Sequence, residues 1–87
     1  MIIMDERKID SLSAILANYL NIYKEDNIVE LNRLLKEWIN KFYPEELTES
    51  NITIKNNRLI VETKSLEMFS NLNYVFGAKD YIVLDNK

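Results

Sequence analysis

Apolar residues recur at spacings of three and four through the first part of the chain. Ile9, Leu12, Leu16, Tyr19, Leu20 and Tyr23 form one stripe, the signature of a helix with a single buried face. Ile15 and Ile22 widen it. Asp5 stands where a side-chain oxygen can accept from unpaired backbone N–H groups, so the spacing predicts a helix from about Glu6 to Lys24. Glu25-Asp26-Asn27 interrupts the pattern. Asn27, with Glu30 three residues on, has the form of a capping box. Leu31, Leu34, Leu35, Trp38, Ile39 and Phe42 then carry a second helical face to about Tyr43. Pro44 ends it, because proline disfavours helical geometry in the residue before it. So short a connection makes the two helices antiparallel neighbours.

After a polar joint from Glu45 to Ser50, with room for one helical turn around Leu47, the period drops to two. Ile52-Thr53-Ile54 and Leu59-Ile60-Val61 flank Asn56-Asn57, which predicts a β-hairpin. With a two-residue turn, Lys55 faces Arg58, Ile54 faces Leu59 and Ile52 faces Val61, so four aliphatic side chains share one buried face. Asn tolerates the positive φ that a type I′ turn requires; a four-residue loop in the same register is the alternative. Ile60 falls with Thr53 on the opposite face, which is therefore only partly wet. Ser65 is placed to cap a third, shorter helix bearing Leu66, Phe69, Leu72 and Phe76, flanked by Met68 and Val75. Gly77, the single glycine, stands where a left-handed C-terminal residue is wanted. Tyr81 to Leu84 reads as a last strand, and Asp85-Asn86-Lys87 as a frayed tail.

The order ααββαβ predicts one α+β domain over residues 1–87, with a small three-stranded sheet packed on helices. A right-handed crossover through the third helix makes the last strand parallel to the second if both lie in one sheet; the strand order is left open. At 87 residues only about 60–65% of the unfolded surface can be buried, so the core is thin. The hydrophobic share of 47% is enough for a folded globule.

Composition removes whole classes of chemistry. With no cysteine there is no disulfide, thiolate nucleophile or ordinary structural zinc site, and with no histidine the commonest general base and transition-metal ligand are missing. One glycine cannot build a phosphate-cradling loop. These absences point away from an enzyme, and no cofactor is implied. Met1-Ile2-Ile3-Met4 is too short for a signal-peptide core and no run suits a membrane span, so a cytoplasmic protein is expected. The net charge of −3 argues against a dominant electrostatic hold on nucleic acid.

Within that frame the candidates are few. Glu45, Glu46 and Glu49 could offer oxygen ligands to a divalent cation or form a solvated joint. Tyr19 and Tyr23 read as core residues; Tyr43, Tyr74 and Tyr81 could form a surface for stacking bases. Trp38 reads as buried, or as an anchor for a partner. Lys55 and Arg58 at the hairpin tip, with Lys64 beyond, are the candidate contacts to a phosphate backbone or a partner; the plain alternative is a solvated tip that discourages edge aggregation.

From the second helix onward the layout resembles the DciA-type helicase-loader family. The features that carry the likeness are Trp38 in a helix before the hairpin, Ile52-Thr53-Ile54, Asn56-Asn57, Leu59-Ile60-Val61, the polar step at Ser65 into a helix ending near Leu72, and the strand Tyr81 to Leu84. They cover roughly half the chain. Asn40-Lys41-Phe42-Tyr43-Pro44 replaces the glycine-containing motif usual after the Trp, and the basic character is missing. The resemblance implies a KH-like fold and contacts with a replicative helicase and with single-stranded DNA, for which Lys55, Arg58 and Lys64 are the residues carried over. The competing expectation is a protein–protein interaction domain, homodimeric or a phage-type accessory factor, with no nucleic-acid role. A thin core with a high apolar share favours self-association.

Overall fold

The computed structural model describes residues 5–23 and 27–87, and of Tyr23 the backbone alone. The expected end of the first helix at Lys24 and the break at Glu25-Asp26 lie outside them, as does Met1 to Met4.

The architecture is α+β. Helix α1 (Glu6–Asn18) continues into a π-helical turn (Tyr19–Tyr23); α2 (Ile28–Phe42), a single turn α3 (Glu46–Glu49), strands β1 (Asn51–Lys55) and β2 (Arg58–Thr63), α4 (Leu66–Phe76) and β3 (Ile82–Asn86) follow. The caps expected from the sequence are in place. Arg7 N donates to Asp5 Oδ1 at 2.9 Å, Glu30 N to Asn27 Oδ1 at 3.1 Å and Met68 N to Ser65 Oγ at 3.2 Å.

The strand order is β1-β2-β3, with β1 antiparallel and β3 parallel to the central β2. The hairpin register is the predicted one, from Asn51 opposite Glu62 to Lys55 opposite Arg58. Asn56 and Asn57 have φ of 53° and 59°, so both turn residues are left-handed, as a type I′ connection requires. Helix α2 lies against β1 and β2, α4 against β2 and β3, and α1 against α2 and α4. All the helices thus cover one face of the sheet. Trp38 Nε1 near the end of α2 donates to the Lys8 carbonyl near the start of α1, at 3.1 Å, as antiparallel neighbours must.

The core is made by Leu12 and Tyr19, by Leu31, Leu35, Trp38 and Ile39 of α2, by Leu59 and Val61 of β2, and by Met68, Leu72 and Phe76 of α4. Each such side chain contributes about 1.5–3 kcal/mol by leaving water. Thr63 closes the far end of the sheet. Its Oγ1 donates to Glu46 Oε2 at 3.2 Å and accepts from Ser65 N at 3.1 Å, while its carbonyl accepts from Asn86 Nδ2 and Lys87 N.

Four expectations are corrected. Of the four aliphatic residues expected to be buried together, Leu59 and Val61 are buried and Ile52 is half-buried, but Ile54 is 40% exposed, because it sits near the tip of an edge strand, beyond the reach of the helices. Ile22 is 64% exposed, since the π-turn bonds i to i+5 and rotates the stripe out of its helical phase. The tail is not frayed: β3 runs through Asn86 and is tied to Thr63. Gly77 is right-handed, with φ −61°. Its glycine is required by space, because a Cβ there would meet the Asn73 carbonyl and lie 2.6 Å from Asn73 Oδ1.

Candidate interaction surface on the open sheet face

One side of the sheet carries no helix. Alternation along the strands brings Asn51, Thr53 and Lys55 of β1, Arg58, Ile60 and Glu62 of β2, and Val83 and Asp85 of β3 to that side. The registers align them in three rows across the strands. Thr53, Ile60 and Val83 form the middle row. Lys55 and Arg58 face each other in the row at the hairpin tip. Asn51, Glu62 and Asp85 make the row at the opposite end.

Both end rows hold like charges directly opposite each other, Lys55 with Arg58 and Glu62 with Asp85. Each such pair is destabilising by about 0.2–1 kcal/mol relative to neutral neighbours. Glu62 is partly relieved by Lys87, whose Nζ lies 2.7 Å from Glu62 Oε2 and whose own pKa that pairing raises. Val83 is 40% exposed, and Ile60 is half-buried although it lies on the central strand.

The structure keeps Lys55 and Arg58 together at the tip but sets Lys64 apart. Lys64 follows Thr63 at the far end of β2, about 20 Å from Arg58 at about 3.3 Å per residue. The proposed aromatic surface is not assembled. Tyr43 is buried with its ring 5.4 Å from that of Trp38, Tyr81 packs on Tyr19 at 5.6 Å, and Tyr74 alone is exposed, on α4. Trp38 is buried at 2% exposure. Among the acidic residues of the joint, Glu46 turns inward to accept from Ser50 Oγ at 3.0 Å and from Thr63. Among the described residues no group of three or more Asp or Glu is placed to hold a metal ion, and no helix is long and apolar enough to cross a membrane.

One polar cluster escaped the sequence reading. Lys8 Nζ lies 3.0 Å from Glu67 Oε1 and 4.4 Å from the centre of the Tyr43 ring, and buried Asn71 donates from Nδ2 to Tyr43 Oη at 2.8 Å. Partial desolvation works against the Lys8 ammonium, but its bonds to Glu67 and Tyr43 outweigh that and hold its pKa above the ordinary value. Burial raises the Tyr43 phenol. The available signal was Asn71, a polar residue on the apolar side of α4 between Met68 and Leu72.

The surface hollows are modest. A groove of about 220 Å³ between α1 and α2 is lined by Ser11, Ile15, Leu34, Glu37, Trp38 and Lys41. A second, of about 390 Å³, is bounded by Glu6, Ile9, Asp10 and Tyr74. Neither is enclosed as small-molecule sites usually are.

Compared with known proteins, the chain matches no family model, no curated protein and no solved structure.

Proposed function

We propose that this protein is a small non-enzymatic binding module of the cytoplasm, whose working surface is the uncovered face of the sheet together with the hairpin tip, and whose ligand is a protein. The observation that carries this reading is the open face itself: a middle row of Thr53, Ile60 and Val83 between charged rows of opposite sign. Proteins meet through partly apolar surfaces rimmed by charge. Among the described residues, the half-buried polar cluster at Lys8 is not poised for nucleophilic chemistry. An amine nucleophile needs a depressed pKa, whereas Lys8 is held as an ammonium.

A photo-crosslinking side chain placed at Thr53 or Val83, with exposed Lys36 on α2 as the control position, tests the reading in cells. Protein adducts are expected from the two sheet positions. Adducts from Lys36 alone would refute it.

The second reading is a replication accessory of the DciA type with a KH-like fold, contacting a helicase or single-stranded DNA. It is favoured by Lys55 and Arg58, which project at the tip and have no carboxylate partner among the described residues. Without a stacking platform, such binding rests on those cations. Oligonucleotide titration at rising salt is then expected to show log affinity falling with log salt, and Lys55→Glu with Arg58→Glu to abolish binding.

A further inference from the structure

We propose that the partner of the open sheet face is a second copy of this chain, docked face to face with its strands antiparallel to the first. The inference rests on the reading of that face as a protein-binding surface and adds the identity of the partner.

The argument comes from the three rows. A two-fold axis lying between the sheets and running across the strands, along the row Thr53, Ile60 and Val83, places each of those residues over its own counterpart. It reverses the strand direction. Arg58 of one copy then lies over Glu62 of the other, Lys55 lies beside the same carboxylate, and Asp85 lies beside the opposing Arg58. Lys55, Arg58, Glu62 and Asp85 each meet an opposite charge on the other copy, in addition to the Lys87–Glu62 pair within each copy, and the middle row meets itself. The alternative axis, along the strands, stacks the tip of one copy on the tip of the other and sets cation on cation. The registers therefore select one orientation, an isologous interface in which the same patch serves both subunits.

The charge pattern also says why a partner is wanted. Lys55 and Arg58 are adjacent like charges with no carboxylate partner among the described residues, and Glu62 and Asp85 are adjacent like charges of the other sign. Antiparallel docking brings each destabilised pair against its complement in a less hydrated setting, where such contacts strengthen. The middle row supplies desolvation, since Val83 is 40% exposed in the single copy. The face spans about 14 by 17 Å from strand spacing and rise, smaller than the roughly 800 Å² per partner of a standard interface. The dimer is thus of the weak, concentration-dependent kind, with orientation set by charge.

Sedimentation equilibrium over a concentration series, at low and at raised salt, reads the association. The wild type is expected to dimerise in a salt-sensitive manner, with concentration-dependent amide shifts at Thr53, Ile60 and Val83. Lys55→Glu with Arg58→Glu makes both end rows acidic, and Glu62→Lys with Asp85→Lys makes both basic. Each double variant alone is expected to lose association by at least tenfold, and an equimolar mixture of the two to recover it as a heterodimer. All four positions are surface-facing, and circular dichroism checks that each variant is folded. A wild type that stays monomeric throughout, a dimer indifferent to both reversals, or a mixture that remains monomeric would each overturn the proposal. If the wild type is monomeric while crosslinks from Val83 capture a different protein, self-docking is wrong and the binding-module reading stands. Tight binding of an oligonucleotide in place of self-association would overturn both.

Discussion

Asn71 offers a sharp test of the core. It is fully buried, its Nδ2 donates to Tyr43 Oη at 2.8 Å, and its Oδ1 has no hydrogen-bond partner. A typical hydrogen bond contributes about 0.5–1.5 kcal/mol net, whereas a buried polar atom left unpaired costs about 1–3 kcal/mol. The two substitutions that break this bond should therefore differ greatly. Tyr43→Phe removes the hydroxyl to which the amide donates and leaves its nitrogen orphaned beside an orphaned oxygen, so a loss of about 2 kcal/mol is expected. In a domain of this size that lowers Tm by about 8–16 °C. Asn71→Leu also breaks the bond, but it removes the unpaired oxygen and sets an apolar side chain in a buried position, while Tyr43 Oη keeps Lys8 beside it. Its stability should lie within about 1 kcal/mol of wild type, on either side. The double variant should be about 2 kcal/mol more stable than Tyr43→Phe alone, since replacing both partners by apolar groups is close to neutral. Urea unfolding followed by the fluorescence of Trp38, buried 5.4 Å from Tyr43, gives the midpoints, and far-ultraviolet circular dichroism checks that the transitions coincide. A loss above 2 kcal/mol for Asn71→Leu, or a double variant as unstable as the sum of the singles, would refute the reasoning.

Other outcomes follow from single features. Asn57→Gly, at a residue with φ 59°, should stabilise the hairpin by about 0.5–1 kcal/mol by removing the left-handed penalty, read as a rise in urea midpoint. Gly77→Ala should destabilise by about 1–3 kcal/mol, because the added methyl meets the Asn73 backbone carbonyl, which a rotamer change cannot move. Alkaline pH should weaken the fold. The folded pKa values of Lys8 and Tyr43 lie above their ordinary values of 10.5 and 10.0. Their contribution is thus complete below those values and is lost as pH rises through the higher folded ones. Chemical denaturation between pH 8 and about 12 should show a decline beginning above about pH 10; Lys8→Met should remove the share due to Lys8, while Tyr43, relieved of the cation that lowers its pKa, keeps its own.

How far the sequence could be read depended on whether a feature was local. The hairpin was legible to the residue, because a period of two, a turn that only tolerant residues can make and a one-residue slip that would expose Leu59 and Val61 leave a single register. The three caps were equally local. Strand order was not, since β3 could have paired with either hairpin strand until the packing of α4 on β2 and β3 was known. Ile54 occupies the same face of β1 as Ile52, and only the extent of the helical layer separates them. The Lys8, Glu67, Tyr43 and Asn71 cluster joins residues drawn from three helical segments, and no spacing rule connects them. At the candidate surface, Lys55 and Arg58 were found from the turn, but their relation to Asp85 needed the β2–β3 register. Gly77 was singled out correctly as special and for the wrong reason: the chain uses its missing Cβ for closeness to Asn73, with no positive φ.

The charge rows separate what the isolated fold prefers from what the surface is for. A face that merely had to stay wet would intersperse its signs, because opposite charges across a strand pair stabilise and like charges do not. Arg58→Glu would correct the tip by setting a carboxylate against Lys55. On cross-strand energetics alone it should stabilise the monomer by about 0.5–1 kcal/mol, a gain of a few degrees in Tm. In the antiparallel face-to-face dimer the same change lays a carboxylate over Glu62 of the other copy and removes a cation from beside Asp85, so self-association should fall at least tenfold. Thermal unfolding at low concentration reads the first effect and sedimentation the second. A purely solvated tip predicts the gain in stability with no change in association. A tip kept unfavourable for the sake of its partner predicts that the two readouts move in opposite directions, and an Arg58→Glu variant that associates as the wild type does would remove the reason for the segregated charge.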